Sequence, residues 1–369
     1  MLLCLLIVVQ GVRLLEREST TFKSNSKNSH TKREKRGGKD MMKIWQKAAL
    51  ALSIAGALVL AGCSSSAKEG EKPEKIRLDY AFYSPTSLAL KKFGWAEETF
   101  KKDGIEVEWV QSQGSNKALE FLNSDSVDFG STAGAAALIA KAKGAPIESV
   151  YIYSQPEWTA LVAADGSKIK DVKDLKGKKI AATFGTDPHI FLLRALADSG
   201  LSAKDVQIVN LQHADGANAL LKGQVDAWAG LDPHMARTEV ESGAKYIYRN
   251  PDFNTYGTLN VRSEFAKNHP KQVEQVIELY EKARKWTIEH PEEAAKLLSE
   301  EAGIKEDVAK KQLQRNNFEE PVPGSQHEKA ISAAGEVLQK EEIVKKDTNI
   351  KDLVKKLINP KFAEKVINQ

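Results

Sequence analysis

The stretch "VQIVNLQHADGANALLKGQVDAWAGLDPH", residues 206–234, decides the fold. "VQIVNL" alternates apolar and polar residues and is rich in branched side chains, so it reads as a strand. "ADGANALLKGQ" carries Ala and Leu at helical spacing, and "VDAWAGL" is a second short apolar strand. Asp232 then stands before Pro233, a residue pair that opens helices, because proline lacks the N–H that would be unpaired at the first helical position. A strand, a helix and a strand within so few residues form a βαβ unit, and such units build parallel sheets with helices on both faces.

The same alternation extends outward. "KIAATF" and "PHIFLLRALADSG" supply the preceding strand and helix, the latter ending at Gly200. An earlier series runs from "KIRLDYAFY" through a helix over residues 84–104, the strand "IEVEWVQS", the helix "SNKALEFLNSDS", and "VDFGST", to the strands "IESVYIYS" and "TALVAAD". "TYGTLNVRS" gives one more strand, and everything after Glu264 reads as helical. Two α/β series joined by two crossovers, with a helical tail, predict two lobes around a cleft.

Composition fits an exported globular protein. The chain has 369 residues, 41% hydrophobic and 28% charged, too long for one small core. Of its 54 Lys and Arg residues, 11 fall within residues 1–62 against four acidic ones, so the remainder carries a net charge of −3. A mildly acidic body offers no basic face for nucleic acid. "MMKIWQKAALALSIAGALVLAGCSSS", residues 41–66, has a basic start and a 13-residue apolar run ending in Leu-Ala-Gly-Cys. That pattern resembles the lipobox of bacterial lipoprotein signals, which implies lipidation of Cys63 and export to the outer face of the cytoplasmic membrane. Residues 1–40 precede that signal and read as an upstream extension from a start assigned too early, with Met41 or Met42 as the true start. Residues 63–75 form a polar tether. Cys4 and Cys63 are the two cysteines, so the mature chain has no disulfide and no free thiol for catalysis.

Several helices begin directly after strands. Ser84-Pro85, Asp187-Pro188 and Asp232-Pro233 place a capping side chain before proline, Ser115 can cap the helix at Asn116, and Ser131 and Thr132 precede "AGAAALIAKAKGAP". In open α/β folds ligands bind at the carboxyl ends of strands. Helix N-termini with hydroxyls there hold a small anion through N–H and O–H donors. Capping is also ordinary helix chemistry, and each of these residues has that second reading. "GSTAG" matches neither glycine-rich nucleotide pattern. His189 and His234 follow the Asp-Pro pairs and either face the cleft or stand solvated on a first turn. Trp228 either walls the cleft, the preferred reading, or fills a core. No histidine, cysteine or carboxylate spacing reads as a metal site, and no nucleophile motif is present, so neither cofactor nor catalysis is expected.

The stretches "ALEFLNSDSVDFGSTAGAAALIAKAKGAP", "DLKGKKIAATFGTDPHIFLLRALADSGL", "VNLQHADGANALLKGQVDAWAGLDPH" and "KNHPKQVEQVIELYEKARKWTIEHPEEAA" together resemble the NMT1-like substrate-binding lipoproteins of ABC importers for aliphatic sulfonates, taurine and nitrate. The resemblance implies a periplasmic-binding-protein-like type II α/β fold, with two lobes of mainly parallel mixed sheets around the cleft. Lobe 1 would comprise residues 76–165 and 257–369, and lobe 2 residues 166–256. Carried over by position, Ser84, Gly114, Ser115, Ser131 and Thr132 would line the cleft from lobe 1. Thr186, His189, Trp228 and Asp232 would line it from lobe 2, Asp232 chiefly as a cap that orders its loop. The implied partners are a small anionic solute of sulfonate type and a permease with its ATPase, served by a monomer. The rivals are a receptor for taurine, nitrate or a pyrimidine or thiamine precursor, and a pyrimidine-synthase-like enzyme, whose cysteine-rich motif this sequence lacks.

Overall fold

The computed structural model describes residues 72–368. The expected signal, the expected upstream extension and most of the expected tether, with Cys63, lie outside the described residues. The chain runs β1 (Lys75–Tyr80), α1 (Pro85–Lys92), α2 (Trp95–Lys101), β2 (Glu106–Gln111), α3 (Ser115–Asn123), β3 (Phe129–Ala133), α4 (Gly134–Ala142) and β4 (Ile147–Pro156). It continues with β5 (Leu161–Ala163), β6 (Lys179–Ala182), α5 (Asp187–Asp198), β7 (Gln207–Asn210), α6 (His213–Leu221), β8 (Ala227–Ala229), α7 (His234–Ser242) and β9 (Lys245–Tyr248). The last part holds β10 (Gly257–Arg262), α8 (Ser263–Asn268), α9 (Pro270–Glu289), α10 (Pro291–Ala302), α11 (Glu306–Leu313), β11 (Asn316–Asn317), α12 (Ser325–Lys340), α13 (Ile350–Leu357) and α14 (Lys361–Ile367). The single helix expected over residues 84–104 is two, because Gly94 takes φ +64° and turns the chain between α1 and α2. The tail is not wholly helical either, since β11 adds a short strand to the edge of β4.

The βαβ unit of residues 206–234 forms as read. β6 is parallel to β7 on one side and to β8 on the other, with Ala181 opposite both Val209 and Trp228. The second sheet has the order β7-β6-β8-β5-β9, and the first β11-β4-β10-β3-β1-β2. In the first, β1 is parallel to β2 and β3, while β10 runs antiparallel between β3 and β4. Leu161–Ala163, grouped with the first lobe by the limits 76–165, instead pairs antiparallel with β8 and β9 in the second sheet. The first crossover therefore lies between β4 and β5, and the second between β9 and β10.

Both faces of the second sheet are covered. Leu161, Ala163, Ile180, Ala182, Ala227 and Ala229 face one apolar cluster, and Val162, Ala181 and Trp228 face another. That is the two-residue alternation of a strand, with apolar residues on both sides because helices cover both. A larger cluster underlies the first sheet and takes in residues of the C-terminal helices, such as Tyr280, Leu298 and Ile331. Those helices also reach the second lobe: α11 packs on α7, and α12 on α5.

Candidate functional site

A cavity of about 150 Å³ lies between the lobes. The first lobe contributes Phe82 and Tyr83, after β1, and Gln111, Ser112 and Gln113 at the end of β2. The second contributes Gln212, His213 and Ala214 at the start of α6, and Leu231 to His234 ahead of α7. Each of these segments follows the carboxyl end of a strand that has parallel neighbours, where open α/β sheets bind ligands. Two helix starts border the space. Gly114 precedes α3 and Gln212 precedes α6 as N-cap residues, and neither makes a side-chain cap, so first-turn peptide N–H groups are available at both.

A buried carboxylate supports the first-lobe wall. Asp79 accepts hydrogen bonds from Ser112 Oγ (2.7 Å) and from Ser131 N (2.8 Å). Burial pushes its pKa up to about 6, and those two donors hold it from rising further. Tyr83 donates to the Ser131 carbonyl at 2.9 Å and packs edge-on to Trp158. Asp79 thus fixes cleft-facing groups without itself lining the cavity.

The second-lobe wall is built on His213. Its Nδ1 lies 3.1 Å from Thr183 Oγ1, whose single proton goes to the Leu211 carbonyl at 2.7 Å. The Nδ1–H therefore donates to Thr183, and Nε2 carries a lone pair. Nε2 is buried without a partner and faces the Gly114 turn of the first lobe: a Cβ at position 114 would stand 2.8 Å from it. Burial, aided by nearby His234, lowers the His213 pKa to about 3. His234 is lowered to about 4 by burial and Arg237. At neutral pH these histidines bring no charge to the cavity. Asp232 also lines it, and its Oδ1 caps α7 by accepting from Ala236 N at 2.8 Å. Burial raises its pKa to about 6, opposed by the guanidinium of Arg315, 3.1 Å away.

The structure separates the residues singled out by sequence. Asp232 lines the cavity and Gly114 borders it. Ser131 is fully buried beside Asp79, with its Oγ unpartnered. Thr132 turns away, bonded to Thr258 and Asn260 of β10 at 3.2 and 2.7 Å. Ser115 accepts from Ala133 N at 2.9 Å and ties α3 to β3 rather than capping its own helix. Ser84 and Thr186 precede α1 and α5 without capping them through their side chains. His189 stacks on Phe184 at 4.5 Å, and burial lowers its pKa to about 4. Trp228 is a correction. It is 0% exposed in the core under α6, where Gly216 leaves room for it, because β8 alternation aims it at that face and not at the cleft.

The start of α4 is a second correction. Gly134 N donates to the carbonyls of Thr255 (3.1 Å) and Tyr256 (3.2 Å), and Ala135 N to Thr255 Oγ1 (2.9 Å). The second crossover thus occupies the N–H groups expected to cradle an anion. Asp187, read as a cap, serves the crossovers instead. It accepts from Trp158 Nε1 (2.9 Å), Thr255 N (3.0 Å) and Thr255 Oγ1 (2.6 Å), joining both connections between the lobes. Sequence reasoning passed over Tyr83, Ser112, Gln212 and His213. The strand-to-helix step "NLQHADG" carried the signal for the last two, because it repeats the pattern used elsewhere.

Among the described residues, no cluster of three or more His, Cys, Asp or Glu could hold a metal ion, and no helix is long and apolar enough to cross a membrane. A family model described as NMT1/THI5 like matches residues 94–294. A Bacillus subtilis (strain 168) protein named as an aliphatic sulfonates-binding protein is 30% identical over 84% of this chain and 94% of its own length. Another so named, from Escherichia coli (strain K12), is 30% identical over 69% of this chain and 79% of its own. Among solved structures, the alkanesulfonate-binding protein SsuA from Xanthomonas axonopodis pv. citri bound to MOPS aligns with a TM-score of 0.72 at 26% identity, covering 79% of this chain and 99% of that one. The two-sheet architecture, the family match over more than half of the sequence and a 30% identical relative of nearly full length agree: the chain belongs to the NMT1/THI5-like family.

Proposed function

We propose that this protein is the extracytoplasmic solute receptor of an ABC importer, anchored by a lipid on Cys63, and that it captures a small aliphatic sulfonate for release, unchanged, to a permease. One observation carries the reading. The cavity between the lobes is bordered by two uncapped helix N-termini and lined by neutral histidines and polar side chains. Peptide dipoles hold an anion without a fixed positive charge, which keeps binding reversible. Its volume of about 150 Å³ is well above the roughly 10–15 Å³ that one water needs, and leaves room for a sulfonate with a short chain. The relatives named for sulfonate binding support the ligand class.

A second reading has its own observation. The His213 Nε2 lone pair and the Asp232 carboxylate both accept hydrogen bonds, which favours a sulfonate carrying its own donor, such as taurine. Thermal melts of the purified protein with ethanesulfonate, taurine and nitrate test both. A ligand at 100 times its Kd stabilises the folded state by about 2.7 kcal/mol, an increase of several degrees at most in a protein of this size. A rise with either sulfonate and recovery of the solute intact is the expected result. No rise with any sulfonate overturns the proposal, and consumption of the solute favours an enzyme.

A further inference from the structure

A carboxylate in the wall of an anion site needs an explanation, and the C-terminal segment supplies one. Arg315 stands between α11 and β11, and its backbone belongs to the first lobe. The adjoining β11 pairs with β4 of the first sheet, and the Arg315 carbonyl accepts from Glu157 N, in the first crossover, at 2.8 Å. Its side chain, 9% exposed, crosses to the second lobe. There Nη1 lies 3.1 Å from Asp232 Oδ2, while Nη2 lies 2.6 Å from Glu239 Oε2 and 2.7 Å from Tyr246 OH. Lys311 pairs with the same Glu239 at 2.6 Å, and Lys305 approaches Glu241 at 3.6 Å. One residue from Lys311, Gln312 donates to the Phe82 carbonyl of the cleft loop at 2.9 Å. A single segment therefore touches both walls of the cavity.

We propose that Arg315 is a positioning residue that sets the charge of the cleft: closure brings its guanidinium onto Asp232, which lets the closed cleft accept an anion, and its bond to Glu239 clasps the lobes together. This rests on the reading of the cleft as an anion site. The physical logic is direct. A buried carboxylate is tolerated when paired, and an unpaired one takes up a proton or draws in water. Arginine stays charged at all relevant pH, so the compensation it gives does not titrate. Around Asp232 the other groups are Glu239 and His234 on α7, Tyr246 on β9, His213 on α6 and Lys311 on α11. With the lobes apart, Asp232 loses its partner and repels an incoming anion.

The test is a pH profile of ethanesulfonate binding by calorimetry, from pH 6.5 to 9, on the purified protein and its variants, with melting curves to confirm folding; taurine, whose ammonium can itself pair with Asp232, is measured at pH 7 only. Wild type should vary less than twofold. In Arg315→Gln, affinity should fall at least tenfold as pH rises and the unpaired Asp232 loses its proton. Asp232→Asn in the Arg315→Gln background should restore the flat profile, and Arg315→Lys should stay nearly flat. A merely structural arginine would weaken binding equally at every pH, with no rescue by Asp232→Asn, and that result overturns the inference. Small-angle scattering without ligand gives a reading independent of solute: Arg315→Gln should have a larger radius of gyration than wild type. Equal radii overturn the clasp. If wild type binds neither sulfonate while the radii differ, the proposed ligand class fails and the clasp stands.

Discussion

At the scale of single residues, Trp228 and Gly114 show what a sequence withholds. The alternation in "VDAWAGL" fixes that Trp228 lies on the opposite face from Ala227 and Ala229. It does not say which face meets the cleft, because helices cover both sides of the sheet and both read as apolar. Trp228→Ala should therefore act on stability, with a loss of about 3–5 kcal/mol typical of an emptied aromatic site, measured by urea denaturation. A variant as stable as wild type would put the side chain back in the cleft. Gly114 is the converse case. It has φ +147°, a conformation open to glycine, and a Cβ there would lie 2.8 Å from both His213 Nε2 and Asn116 Oδ1. Gly114→Ala should wedge the lobes apart, lower affinity for the solute more than tenfold and strain the backbone by about 1–3 kcal/mol. Unchanged affinity by calorimetry would mean that the two lobes do not need this contact.

At the scale of elements, most strands and helices of both α/β series were legible, since their periodicity is local, but β9 (Lys245–Tyr248) was passed over and α1 and α2 were read as one helix. Their partners were not. Leu161–Ala163 is three apolar residues, and nothing in them distinguishes an edge of the first sheet from the middle of the second. Arg315 is likewise one cation among many in a helical tail, and its ion pair with Asp232 spans 83 residues. Asp187 is the instructive miss. Its place before Pro188 reads as a cap, yet α5 starts without a side-chain cap and the carboxylate is spent on the two crossovers. Asp187→Ala leaves Trp158 Nε1 and the Thr255 N–H buried without that acceptor, at roughly 1–3 kcal/mol for each group. The variant should lose about 3 kcal/mol or more, with Asp187→Asn intermediate, as read from denaturation midpoints. Loss of less than 1 kcal/mol would show that the crossovers are held by other contacts.

At the scale of the whole molecule, the buried titratable groups set how stability depends on pH. Burial lowers the pKa values of His189, His213, His234 and His327 to about 4, 3, 4 and 4, against about 6.5 in an unfolded chain. Between pH 6.5 and 4 the unfolded chain takes up protons that the fold refuses, so these four groups reduce stability as pH falls. Asp79 and Asp232, raised to about 6, and Asp187, also raised by burial, act with the opposite sign: there the fold binds protons first and gains stability on acidification. The histidines are more numerous, and their window opens at higher pH, so the net slope follows them. The melting temperature should be highest near neutrality and lower at pH 5.0 than at pH 7.5. His213→Gln, which removes one refused proton, should narrow that difference. A melting temperature that rises on acidification would show the aspartates in control, and would mean that these buried imidazoles are hydrated enough to take up protons near their ordinary pH.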